Sequence, residues 1–224
     1  MGTLHIISVI SLVACGLSAI IILTDILSGN RQQMMIMNFV YPITALYSGP
    51  LGLLVYFTLG RKTTSKMMSH GHHHMQKPMW QSVVTAALHC GSGCTLGDIL
   101  SEPLLLFLPV TLFGSELYGG WAVDFVFAFV IGIIFQYYSI KPMKNLAPAD
   151  ALKAALKADT LSLTFWQIGM YGWMAVCVFL IFGRQLKVTD PVFWFMMQVA
   201  MLCGFITAYP VNWWLLKKGI KEAM

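Results

Sequence analysis

The chain has 224 residues, of which 58% are hydrophobic and 10% charged. A soluble domain carries roughly 25% charged residues, so this composition excludes an ordinary soluble fold and describes a polytopic membrane protein. The net charge is +5, yet the basic residues punctuate apolar runs instead of forming a patch, which excludes nucleic acid and leaves the lipid bilayer as the expected partner.

About 20 apolar residues cross a bilayer. The first such run is Leu4 to Leu27. No basic n-region precedes it, so "LVAC" at Leu12 to Cys15 reads as part of an uncleaved helix and not as a lipoprotein cleavage signal. The second run is Met35 to Leu59, and a hydrophilic connection over 60–79 follows it. The third runs from Trp80 to about Leu100 and continues in apolar residues through "PLLLFLPVTLF". A continuous helix from Trp80 to Phe113 would measure roughly 50 Å against a hydrocarbon core of ~30 Å, so this segment is expected to break, tilt or re-enter at Pro103 or Pro109. The stretch "LAPADALKAALKAD" reads as a short interfacial helix ahead of the fifth span. The remaining runs are Trp121 to Ile140, Leu161 to Phe182 and Phe193 to Leu216. The expected fold is therefore all-α: a single integral membrane domain over 1–224 with about six spans.

Lys and Arg set the expected orientation. Segments 60–79, 141–160 and the tail hold eleven basic residues, whereas Arg31, Arg184 and Lys187 make three on the opposite connections. The positive-inside rule then places both termini in the cytoplasm. Five cysteines, Cys15, Cys90, Cys94, Cys177 and Cys203, all lie in apolar segments, which does not fit the disulfide framework of a small secreted domain.

The third run contains "HCGSGCTLGDILSE" at residues 89 to 102. At four-residue steps Cys90, Cys94, Asp98 and Glu102 share one slowly drifting helical stripe, with His89 beside its cytoplasmic end. Carboxylates at bilayer depth are costly and mark functional sites unless partnered. Thiolate and imidazole suit Cu(I) or Zn(II), while carboxylates suit harder ions or relay protons. The stripe is thus a candidate metal site; the plainer alternative is a small-residue packing groove in which Cys acts as an apolar residue.

Ahead of it, "KMMSHGHHHMQKPMW" interleaves Met67, Met68, His70, His72, His73, His74 and Met75, a soft-metal composition that would collect ions for the stripe or bind them only adventitiously. Asp124, Asp159 and Thr160 are candidate polar partners in other spans, as are Met197 and Met201, one turn apart, although methionine stripes are more often packing. Pro42 and Pro210 sit where they free backbone carbonyls, with Tyr209 and Asn212 nearby.

The blocks "YPITALY", "HCGSGCTLGDI", "FQYYSIKPM", "LKADTLSLT" and "YPVNWWLLKKGIKEAM" together resemble a bacterial integral-membrane family catalogued only as a domain of unknown function, with the resemblance running from about Tyr41 to Met224. Members of that family are sometimes associated with copper oxidases, which implies a copper connection and residence in the bacterial cytoplasmic (inner) membrane. The chain departs from a copper oxidase in having no cupredoxin-type strand pattern and no multicopper histidine pairs.

The expected function is transport or handling of a soft metal ion, most plausibly copper, with copper or zinc as the implied ion and no enzymatic reaction assigned. No phosphate-binding P-loop is present, so transport would be passive or gradient-coupled. The alternatives are a membrane thiol or metal-cofactor oxidoreductase, a proton or cation channel lined by Asp98 and Glu102, and an assembly subunit. A homo-oligomer is compatible with each.

Overall fold

A computed structural model describes residues 2–32, 34–61, 78–144 and 146–221, excluding the side chains of 142–144. It comprises α1 (Gly2–Leu27), α2 (Met37–Ser48), α3 (Pro50–Val55), α4 (Met79–Phe107), α5 (Glu116–Lys144), α6 (Pro148–Val176) and α7 (Pro191–Lys217). π-helical stretches extend α3 over Tyr56–Gly60 and α6 over Cys177–Ile181. Among the described residues five helices, α1 and α4 to α7, are long and apolar enough to cross a membrane, and the protein is a membrane-embedded helix bundle.

The second expected span, Met35 to Leu59, is not one helix. Gly49 takes a positive φ of 53°, a conformation that suits a residue without Cβ, and Pro50 follows as the first residue of α3, so the helix ends and a new one starts. The two arms fold against each other: the Tyr41 and Tyr56 rings meet edge-on at 5.3 Å, and a Cβ on Gly52 would lie 3.1 Å from Ala45 Cα. The hairpin tip at Gly49 rests on Cys15, midway along α1. Its far arm returns to the Leu27 end of α1, where Tyr56 Oη donates to Asp25 at 2.7 Å and Arg61 pairs with the same carboxylate at 3.3 Å. Composition suggests a span here because both arms are apolar and leave large hydrophobics on the outside, Phe39 on α2 and Leu51 and Leu54 on α3, as a crossing helix would.

The first helix runs alongside α7 in the same direction, for His5 approaches Asp190 at 3.6 Å and Ser11 Oγ donates to Gln198 Oε1 at 2.8 Å. Gly2 therefore lies at the end of the bundle opposite Lys217, whereas the sequence places both termini on one face. With a hairpin where a straight helix was expected, five long helices run through the bundle among the described residues, and Gly2 and Lys217 fall at opposite ends of it.

The fourth helix does not break at Pro103. That residue is exposed on the outside of a continuous 29-residue helix, about 43 Å long at 1.5 Å per residue. The helix stops at Leu108, whose φ −128° and ψ 72° lie outside the helical region that the following Pro109 disfavours. The expected interfacial helix is likewise the first turns of α6, which begins at Pro148 and buries Ala151, Ala155 and Ala158.

The centre of the bundle is α4. In its most apolar stretch 78% of residues are buried, against 22% in α1. The glycines of α4 explain how it is surrounded: a Cβ on Gly97 would lie 2.7 Å from Ala128 N, and one on Gly93 3.0 Å from Gly132 Cα. Helix α5 thus packs backbone to backbone on α4, the small-residue contact that membrane helices use in place of a hydrophobic driving force. On another face a Cβ on Gly91 would strike the fully buried Trp166 ring.

Candidate functional site

Cys90, Cys94 and Asp98 of the α4 stripe are buried and Glu102 is half-buried, but the stripe divides. At the end of the bundle nearer Lys217, Cys90 Sγ lies 3.2 Å from Asp159 Oδ1 and 2.9 Å from Ser162 Oγ, both on α6. Asn212 of α7 donates to Ser162 Oγ at 2.6 Å. Lys221 completes this inner cluster: its ammonium pairs with Asp159 at 2.8 Å and lies 3.4 Å from both Cys90 Sγ and Ala86 O. Asp159 and Lys221 are each only 1% exposed.

Lys221 reaches the interior because α7 closes in a Schellman motif. Gly219, with φ +66°, donates its N–H to Leu216 O and the next residue, Ile220, to Leu215 O, which turns the chain back onto the bundle. Burial opposes the lysine charge, but the Asp159 carboxylate outweighs it and holds the ammonium above the usual lysine range. Sequence reading takes the tail lysines as cytoplasmic charges; the clue to this one is a lone intramembrane acid, Asp159, that needs a cation.

The outer cluster lies toward the other end of α4. Ser101 Oγ donates to Asp124 Oδ1 in a short hydrogen bond, and Glu102 follows Ser101 on the same turn of α4. Both acids line a cleft of about 330 Å³, walled also by Trp121, Tyr171, Met174 and Met197. The Trp121 and Tyr171 rings stack at 5.2 Å and 12°, and Tyr171 Oη donates to Trp121 O at 2.8 Å.

Asp98 stands between the two clusters. It is 2% exposed, and among the described residues neither carboxylate oxygen has a hydrogen-bond partner. It borders a small cavity of about 60 Å³ with Tyr47, Thr95, Met197 and Met201, room for one or two water molecules at ~30 Å³ each. The Tyr47 hydroxyl is also buried without a partner. Cys94 belongs to the hydrophobic cluster around Trp166 and Met170.

The candidate partners separate accordingly. Asp159 joins Cys90 and Asp124 joins Glu102, but Thr160 is exposed and donates to Leu156 O at 2.6 Å. Met201 is buried with its sulfur 3.9 Å from Thr95 Oγ1, and Met197 walls both cavities. His89 is buried but faces α5, its Nε2 3.5 Å from Ser139 Oγ and its Nδ1 unpartnered.

His89, Cys90, Cys94, Asp98 and Glu102 are therefore not gathered around one point. Among the described residues no three His, Cys, Asp or Glu side chains form a group that could hold a metal ion. The donor set does not fit a bound copper or zinc: a thiol beside a lysine ammonium and a serine hydroxyl is placed for hydrogen bonding, and metal coordination needs convergent ligands. Met67, Met68, His70, His72, His73, His74 and Met75 lie outside the described residues. Cys90 and Cys94 are both free thiols on an unbroken helix.

Residues 79–221, more than half of the chain, match the sequence profile of a family described as Domain of unknown function (DUF4396). The chain belongs to this family. No curated protein and no solved structure matches it. The DUF4396 match starts at Met79, the first residue of α4, and ends at Lys221, so it is shorter than the resemblance expected from Tyr41 onward and leaves "YPITALY" outside. Both polar clusters and Asp98 fall wholly within the DUF4396 segment, while α1 and the α2/α3 hairpin do not.

Proposed function

We propose that this protein moves protons across a membrane along α4, with Asp98, Glu102 and Asp124 as the carrying groups. The observation that carries the reading is Asp98: a carboxyl 2% exposed, without a partner on either oxygen among the described residues, between two polar clusters on one helix. An ionised carboxylate at bilayer depth costs about 2.5–3.5 kcal/mol, so an unpaired one there is a group suited to taking up and passing on a proton. Protons need only a chain of exchangeable groups, whereas a metal ion needs a cage; the strung-out acids favour the first. Soft-metal handling gains no support from the described residues.

In this reading the outer cleft admits protons to Glu102 and Asp124, Asp98 takes them past the Trp166 layer, and the Cys90, Asp159 and Lys221 cluster passes them inward. The bundle crosses the membrane five times, with the α2/α3 hairpin re-entrant. Arg31, Arg61, Lys141, Lys153, Lys157, Lys217 and Lys218 then share one side and Arg184 and Lys187 the other, which keeps the basic side cytoplasmic and puts the N-terminus outside.

The test is proton flux. Liposomes containing the full chain, with potassium and valinomycin clamping the potential and an internal pH dye, are expected to collapse an imposed pH gradient at least about tenfold faster than empty liposomes, a difference of about 1.4 kcal/mol in barrier. Equal rates would refute the reading.

A further inference from the structure

The outer cleft has more in it than a proton entrance requires. It is of about 330 Å³, at the lower end of the 300–1,000 Å³ range of small-molecule sites. Trp121 and Asp124 face it from α5, where a spacing of three residues puts them on one side of the helix; Glu102 faces it from α4 and Tyr171 from α6. Gly120 keeps one wall open, for the nearest atom to a Cβ there would be Leu105 Cδ1 at 3.7 Å.

Resting on the reading of Glu102 and Asp124 as membrane carboxylates, we propose that this cleft binds a small organic cation, an ammonium group carrying an apolar or aromatic body. Glu102 and Asp124 supply negative charge at depth, Asp124 being 1% exposed, and Glu116, exposed at the rim, adds a third carboxylate to the same cleft. The Trp121–Tyr171 stack supplies aromatic surface, which attracts cations by about 0.5–2 kcal/mol, and Met174 and Met197 supply polarizable apolar contact. An inorganic divalent ion would find no ligand cage among the described residues, and an anion would meet the acids. Lys187 also borders the cleft, but it is exposed and stands at the rim, where water screens it. The ammonium could come from a free amine or from a choline lipid headgroup, and both satisfy the same walls.

The experiment uses the full chain in nanodiscs and radiolabelled benzyltrimethylammonium in equilibrium dialysis, against empty discs. Saturable binding at one site per chain is expected, weaker by about tenfold or more, about 1.4 kcal/mol, in Asp124→Asn and in Trp121→Leu. Binding should also weaken as pH falls, because protonated carboxyls no longer attract the cation. With phosphatidylglycerol discs, whose headgroup has no ammonium, as the reference, a free amine is the source if phosphatidylcholine discs give the same affinity after subtraction of empty discs; a lower affinity in phosphatidylcholine assigns the site to the headgroup. Non-saturable uptake, equal uptake of the uncharged isostere neopentylbenzene, or wild-type affinity in both folded variants would overturn the proposal. Proton flux without cation binding would sink this inference alone, and cation binding without flux would sink the proton reading alone.

Discussion

Lys221→Met is expected to destabilise the protein by about 3–5 kcal/mol, the usual cost of removing one partner from a buried ion pair. The substitution leaves the Asp159 carboxyl at 1% exposure with the Cys90 thiol as its remaining hydrogen-bond partner among the described residues. Asp159→Asn should cost a comparable amount, since it strands an ammonium beside Cys90 and Ala86 O. The double variant Asp159→Asn/Lys221→Met should recover most of the loss, because a neutral pair has no charge to desolvate. Unfolding of the purified chain in detergent measures all three. Single variants that each cost less than about 1 kcal/mol, or a double variant no better than either, would show that the pair contributes little.

Asp98→Leu is expected to do the opposite to stability. Both oxygens of Asp98 are buried and unpartnered among the described residues, and a buried polar group left unsatisfied costs about 1–3 kcal/mol. The adjoining cavity of about 60 Å³ gives the leucine methyls somewhere to go. The variant should therefore unfold about 1–3 kcal/mol later than wild type while its proton flux falls to that of empty liposomes. Stability gained with function lost is the signature of a group retained for its chemistry. A variant that is both less stable and equally active would mean that the carboxyl is structural.

The parts of this molecule that could be read from its sequence are those governed by spacing along one helix. Residues Cys90, Cys94, Asp98 and Glu102 do share a buried face, since period 3.6 fixes that regardless of neighbours, and Asp124 and Asp159 do meet it because intramembrane acids turn inward. What each of them touches depends on inter-helix register, which no local pattern records; hence Cys90 meets a lysine and Cys94 meets apolar side chains. The hairpin escaped for a different reason. Its 25 residues from Met35 to Leu59 have the length and composition of a span, and only the Gly49–Pro50 pair marks the turn. Lys221 escaped because a basic tail after a span ordinarily faces water, and its insertion depends on the positive φ of Gly219.

The most direct measurement of the central claim compares proton flux through liposomes containing wild type, Asp98→Asn and Asp98→Glu at matched protein content. Asn keeps the size and polarity of the side chain but cannot exchange a proton, whereas Glu can. The expected result is at least a tenfold loss in Asp98→Asn, about 1.4 kcal/mol or more in barrier, with flux restored toward wild type in Asp98→Glu. Wild-type flux in a folded Asp98→Asn protein would contradict the account.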